Sequence, residues 1–591
     1  MALPRDPSHL RALVDIGSNG IRLSITSLHP SQARILPTLH QCRCGISLYD
    51  AQYPPSSGGE RQPIPPSTIA SVIAALRDFK RTTLDFGVPA SQVKLLATEA
   101  TRTAINSADF IAEVRAKLGW EISLLSKEEE GRIGALGVAS SLPGVRGLVM
   151  DLGGGSVQLS WLDGQKAPKK GAVSMPYGAA ALMRRLGDGL MGELEKEVSA
   201  GVKGAYESLE VEGEVAKERE VNGGVTLFLS GGGFRGWGYV LMSRHRVQPY
   251  PISVINGFRA SREQFLDTED VQAAAAAALE NESEGIFRVS DRRAGQVPAV
   301  AFLVKTLAEC LPAVKEVRFC QGGVREGYLS GLLSAEVRAL SPLVVATTPF
   351  VWGDGTEHLA DLLGSALPPA SANGGHASIG MAFVDKNLIT AFANMMYTHS
   401  SHSKDLQASA ALRSTTSGVL ASVHGLLHES RALLGLLLCA RWGDSVSPTD
   451  DTFKRSLQAL VEGPWTLWWV QYLGAVAALI GTVWPAGWKQ QAGERLTFAA
   501  SWETDKKGNA VLRVIVTLGK DIDAEVLGQE IHGLEKVGKR KRWIGGRDGV
   551  GCKVAAEALN ILTRDTLRHH LDVANVEEDV DSAIRDYARS A

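Results

Sequence analysis

Two kinds of hydrophobic pattern alternate along the first part of the chain. Short unbroken apolar runs predict buried strands, and longer stretches with apolar residues three and four apart predict helices. From about Leu10 to Ser141 the first such unit opens with Leu13-Val14-Asp15-Ile16-Gly17-Ser18-Asn19-Gly20, followed by Ile21-Arg22-Leu23-Ser24-Ile25, a strand, tight turn and strand. A Pro/Gly/Ser-rich loop covers 53–66, and a helix is predicted near Ser67–Gly87. Val93–Thr98 reads as a buried strand. The helix near Ser107–Leu118 places Phe110, Ile111, Val114 and Leu118 on one face, and Gly119 stops it. After a short strand at Ile122–Leu125, Ser126-Lys127-Glu128-Glu129 has the form of a capping box that opens another helix.

A second unit of the same kind runs from about Gly147 to Ala346. It opens with Leu148-Val149-Met150-Asp151-Leu152-Gly153-Gly154-Gly155-Ser156, followed by Val157-Gln158-Leu159-Ser160-Trp161, again strand, turn and strand. Helices follow near Ala179–Leu186 and Pro298–Cys310, with a third glycine-rich turn after Val225–Leu229 and a strand at Val317–Cys320. The alanine run 273–278 suits a solvated helix interior. From about Pro349 to Gly487 the pattern is mostly helical, with a polar insertion near Asp444–Asp451. Leu496–Thr504 and Ala510–Leu518 predict a hairpin, with helices after it.

Composition narrows the picture only a little. A chain of 591 residues holds about three or four domains, and a net charge of −2 gives no global field for polyanions. Recognition of a charged ligand must therefore be local, and neither a membrane partner nor specific nucleic-acid binding is expected. The uncharged stretch 463–488, with Trp465, Trp468, Trp469, Trp484 and Trp488 at its ends, is long enough for a membrane span. Its flanking prolines, internal Gln471 and Ala/Gly-rich middle favour a buried core helix. Six scattered cysteines and the lack of a signal-like N-terminus point to reduced thiols and a cytoplasmic protein. The basic cluster Lys536, Lys539, Arg540, Lys541, Arg542 and Arg547 reads as a solvated loop.

The chemistry lies in the two turns. Glycine permits positive φ and removes side chains that would hold a phosphate away, so bared N–H groups can form an anion-binding concavity. An aspartate at each turn offers a hard oxygen ligand for Mg²⁺. Two such turns suggest duplicated lobes that clamp one phosphate chain and a metal.

The stretches VDIGSNGIRLSI, ATEATRTAINSADF, LLSKEEEGRIGALGV, LVMDLGGGSVQLSW, LSGGGFRG, DRRAGQVPAVAFLV and QGGVREGYL occur in one order over roughly the first 340 residues. Together they resemble the Ppx/GppA family of exopolyphosphatases and guanosine pentaphosphate phosphatases. The Trp-rich C-terminal part looks most like that family's fungal retrograde-regulator branch. The resemblance implies an α/β fold with duplicated actin/Hsp70/sugar-kinase-like (ribonuclease H-like) lobes at 1–141 and 142–346. Residues 347–591 would form a mainly helical region and a small α/β module.

The resemblance also implies roles for residues. Asp15 and Asp151 would hold Mg²⁺. Gly17, Ser18, Asn19, Gly153, Gly154, Gly155 and Ser156 would bind phosphate, with Arg102 reaching into the cleft as a bidentate fork. Glu130 would be the base for the attacking water; the helix dipole favours its ionised form, and burial would raise its pKa. Gln158 stands where the hydrolytic family carries an acid, so it can orient water but cannot take a proton. Gln321 stands where that family often has aspartate. Ser230 and Gly231 open a turn that would face either an adenosine or the phosphate chain. His376, His399, His402 and His428 are scattered and read as structural. The implied partners are polyphosphate or a nucleotide, a regulatory protein, and a second copy in a homodimer. A kinase acting on a second substrate is the third function class of this fold group.

Overall fold

The computed structural model describes residues 6–560, apart from 55, 56, 58, 59, 165–170, 188–190, 281–284, 313, 370–380, 382, 383, 493, 521, 523, 524 and 526. It divides into two compact units. The first comprises Met1–Pro349 with Ser414–Ala432 and Arg455–Leu460; the second comprises Phe350–Arg413, Leu433–Lys454 and Val461–Ala591.

The first unit contains two sheets of one topology. In the first sheet, β1 (Leu10–Gly17), β2 (Gly20–Ser27), β3 (Thr38–Cys44), β4 (Val93–Ala97) and β5 (Ile122–Leu124) lie in the order β3-β2-β1-β4-β5. β1, β2 and β3 are antiparallel neighbours, while β4 and β5 run parallel to β1 through helical crossovers. The second sheet has β6 (Arg146–Leu152), β7 (Val157–Asp163), β8 (Val173–Met175), β9 (Val225–Ser230), β10 (Arg259–Ser261) and β11 (Val314–Phe319). Its order β10-β11-β9-β6-β7-β8 repeats the first, with β10 added antiparallel at one edge. This is the duplicated α/β architecture of the actin-like fold group.

Local chemistry accounts for the elements that matter here. The helix Ser107–Leu118 ends at Gly119, which takes the left-handed conformation at φ 65°. The helix Lys127–Ser140 starts at Ser126, whose hydroxyl accepts from the Glu129 N–H while the Glu129 carboxylate accepts from the Ser126 N–H. That reciprocal cap uses Glu129 and leaves Glu130, one residue on, free to face elsewhere. Two readings change. The glycines after Ser230 do not form a turn; they begin the helix Gly231–Ser243, because Phe234, Trp237, Val240 and Leu241 give it a buried face. The C-terminal hairpin of β12 (Leu496–Thr504) and β13 (Ala510–Leu518) gains a third strand, β14 (Lys553–Asn560), parallel to β13.

The lobes meet where the helix Lys127–Ser140 crosses the helix Val324–Gly331. Glycines let the backbones touch. A methyl at Gly137 would overlap the Gly323 carbonyl, and one at Gly327 would overlap the Ile133 carbonyl. In the second unit, Pro464–Val483 is a helix with 72% of its most apolar window buried.

Candidate active site

Both hairpins end at one cleft of about 180 Å³ in the first unit. Their registers match: Asp15 pairs across its hairpin with Arg22, and Asp151 pairs with Gln158. Gln158 therefore holds in the second lobe the place that Arg22 holds in the first. The turns face each other closely. A Cβ at Gly154 would lie 2.6 Å from the Asn19 side-chain nitrogen, and a Cβ at Gly155 would overlap the Glu99 carboxylate. None of Gly153, Gly154 and Gly155 has positive φ. At Gly154 and Gly155, then, glycine leaves room for side chains of the opposite lobe rather than serving backbone handedness. The position of Gly231 requires glycine on two grounds: φ is 90°, and a Cβ would overlap the Leu152 carbonyl and the Asp151 carboxylate of its own lobe.

Asp15, Asp151, Gly17, Ser18, Asn19, Gly153, Gly154, Gly155, Ser156, Glu130, Gln158, Ser230 and Gly231 all line this cleft. Arg102 does not. Its Nη1 donates to the Leu125 carbonyl at 2.6 Å and to Glu130 Oε2 at 3.0 Å, so this guanidinium holds the carboxylate rather than reaching the cleft. The reason is local: Arg102 ends the short helix Glu99–Arg102, directly behind the start of the Glu130 helix. Two hydroxyls are also engaged. Ser230 Oγ donates to the Gly322 carbonyl at 2.8 Å, and Ser156 Oγ accepts from Gln158 Nε2 at 2.9 Å.

Six arginines line the cleft: Arg22, Arg43, Arg235, Arg292, Arg293 and Arg325. Five of these stand inside the motif stretches, as in GIRLSI, GGGFRG, DRRAGQ and GGVREG, which is the signal that would have found them; Arg43 has none. Burial lowers the pKa of Arg235 to about 10, with Arg22 and Arg293 adding repulsion. Burial followed by neighbouring arginines also lowers Arg43 and Arg293. Cations crowded until they repel one another favour a polyanion between them.

The acids differ. Burial raises Glu130 from 4.5 to about 7, against the opposing pull of Arg102. Desolvation outweighs the hydrogen bond and charge of Arg102 and gives a carboxylate poised near neutral pH. Burial raises Asp151 to about 6, with Arg235 opposing and Asp15 reinforcing; Asp15 is raised by burial, with Arg22 opposing. Burial pushes Glu326 upward, but Arg325 and the Gly323 N–H outweigh it and leave it at about 2. A second cavity of about 20 Å³ behind the cleft is lined by Glu130, Asp151, Gln158 and Ser160, enough for one water with polar partners.

Among the described residues no cluster of three or more His, Cys, Asp or Glu can hold a metal. The two carboxylates Asp15 and Asp151 do suit Mg²⁺, which takes one or two carboxylates and completes its shell with water and phosphate oxygens. His376 lies outside the described residues. His428 is buried, its Nδ1 in a 2.7 Å hydrogen bond with Tyr250 Oη and its Nε2 2.9 Å from the Val254 carbonyl.

Twin hairpin-led α/β lobes thus close on one arginine-rich, acid-bearing cleft. The chain belongs to the Ppx/GppA phosphatase family, whose model matches residues 27–336. A model of the RTG2 C-terminal domain matches residues 341–560. The chain is 37% identical over 494 residues to Retrograde regulation protein 2 of Saccharomyces cerevisiae, covering 81% of this chain and 82% of that protein. Solved structures similar to it include an Aquifex aeolicus PPX-GPPA enzyme, at 23% identity and TM-score 0.42, over 55% of this chain and 99% of that one. An exopolyphosphatase from Cytophaga hutchinsonii matches at 16% identity and TM-score 0.42, with the same coverage of 55% and 99%.

Proposed function

We propose that this protein binds a phosphoanhydride chain, polyphosphate or a polyphosphorylated nucleotide, and hydrolyses its terminal phosphate. The carrying observation is Glu130, a largely but not fully buried carboxylate raised to about 7 at the wall of a cleft lined by six arginines. Glu130 accepts the proton of a water held in the adjoining cavity, and the water oxygen attacks the terminal phosphorus. The bond to the bridging oxygen breaks, and the arginines take up the charge that collects on that leaving oxygen. Asp15 and Asp151 would hold Mg²⁺, which when bound neutralises phosphate charge. Arg102 keeps Glu130 in place, and Gln158 positions the water without taking its proton.

A second reading has a specific observation behind it: Gln158 stands opposite Asp151 where a second acid would speed hydrolysis. The cleft would then act as a phosphate or nucleotide sensor for a protein partner, in keeping with the name of the yeast relative. The test is phosphate release from tripolyphosphate, long polyphosphate, ATP, GTP and guanosine pentaphosphate, with and without Mg²⁺. Release that Glu130→Gln abolishes supports catalysis; normal binding with no release from any of them eliminates it and leaves the sensor.

A further inference from the structure

The cleft carries a feature that the hydrolytic scheme leaves unused. The segment Ser47–Tyr53 of the first lobe includes the short helix Leu48–Gln52 and is fixed to the first turn from below. The Tyr49 N–H donates to the Ser18 carbonyl at 3.0 Å, and Ser47 Oγ donates to the same carbonyl at 3.2 Å. Two arginines of the second lobe then grip it. Arg292 Nη2 lies 2.7 Å from Asn19 Oδ1, 2.9 Å from Asp50 Oδ2 and 3.2 Å from Ser47 Oγ. Arg184 packs over the Tyr53 ring, its guanidinium carbon 4.4 Å from the ring centre. Arg61 of the first lobe also lies against Tyr53, with Nε donating to the phenol oxygen at 2.9 Å. A ring already carrying two guanidinium groups is no open platform for a base, which argues for a mechanical role.

Arg292 is the informative member. It lines the cleft, yet all three of its contacts come from one nitrogen. Its Nε and Nη1 make no hydrogen bond among the described residues. A phosphate entering the cleft can therefore be met by the remaining donors without breaking the contact to Asp50 and Ser47.

We propose that Ser47–Tyr53 is a clasp between the lobes and that Arg292 couples it to the ligand, one nitrogen holding the segment while the others bind phosphate. The inference rests on the phosphate-chain reading of the cleft. A side chain shared between ligand and clasp makes the two binding events reinforce each other. Loss of Asp50, which offers nothing attractive to a phosphate, then weakens the ligand; were Asp50 only a competitor for Arg292, its removal would tighten binding.

The experiment is a double-mutant cycle on the full chain, titrating Mg²⁺-tripolyphosphate calorimetrically into wild type, Arg292→Gln, Asp50→Asn and the double variant. Hydrogen exchange of peptides covering 47–53 is followed in parallel. Arg292→Gln should weaken binding roughly 10- to 100-fold, as loss of a charge-assisted bond does. Asp50→Asn should weaken it about 5-fold, near the lower end of site-to-site coupling, and add nothing in the Arg292→Gln background. Tripolyphosphate should slow exchange in 47–53 in wild type and leave it unchanged in Arg292→Gln. Tighter or unchanged binding by Asp50→Asn, additive effects, or a segment whose exchange ignores the ligand would overturn the clasp and leave the phosphate reading standing. A wild type that binds no tripolyphosphate overturns both.

Discussion

Replacing Glu130 with glutamine should make the protein more stable at alkaline pH while removing its proposed chemistry. The carboxylate is largely buried, with 14% of its side chain exposed, and its pKa lies at about 7 against an ordinary 4.5. An acid whose folded-state pKa is raised holds its proton longer folded than unfolded. Stability is therefore lost as pH rises from about 4.5 to about 7, and the full loss applies above that. Two and a half units correspond to about 3 kcal/mol. Glutamine resembles the protonated acid at every pH, so it escapes this loss. The stability gap between Glu130→Gln and wild type should be below about 1 kcal/mol at pH 5 and about 3 kcal/mol at pH 8. Because the chain has two units, whole-protein melting is unsuitable. The assay is urea unfolding read by hydrogen exchange of peptides from Lys127–Ser140. In parallel, phosphate release should fall by about 10²- to 10⁴-fold. A gap that is the same at both pH values, or absent at pH 8, would refute the claim that burial sets this carboxylate's pKa.

Arg102→Ala removes the hydrogen bond and charge that hold the Glu130 pKa down, so the acid limb of the pH–rate profile should move above 7; an unmoved limb speaks against the pairing. Gln158→Glu restores a carboxylate opposite Asp151 and should raise Mg²⁺-dependent phosphate release by about 10-fold or more. No change there would mean that the amide is not what limits hydrolysis. Gly137→Ala forces a methyl onto the Gly323 carbonyl and should destabilise the lobe pair by about 1–3 kcal/mol, seen as a lower urea midpoint for the same peptides.

Much of the scaffold was legible in the sequence because its signals are local. The two hairpins follow from apolar runs broken by short glycine turns, Ser107–Leu118 from one apolar face and a terminal Gly119, and the Ser126 cap from residues three apart. The rest depends on partners distant in the chain. The glycines after Ser230 suggested a turn because the sequence does not show that Leu152 and Asp151 press against them. Arg102 suggested a phosphate ligand because its distance from Glu130 becomes visible only once β4 and β5 pair and bring the short Arg102 helix behind the Glu130 helix. Arg43 was hidden for the same reason, whereas the other five cleft arginines stand inside the motif stretches. Taken singly on its strand or helix each arginine is an ordinary surface residue, and the six become an anion site only when two lobes converge on them.

The central assertion is that a phosphate chain sits between the two hairpin turns, contacted by both. The most direct measurement is a crystal structure of the full chain with Mg²⁺ and tripolyphosphate. Phosphate density against the backbone of both Gly17–Asn19 and Gly153–Ser156, with the cation between Asp15 and Asp151, is the predicted result. Tripolyphosphate bound on another surface, or touching one turn alone while the other is closed off by side chains, would contradict it.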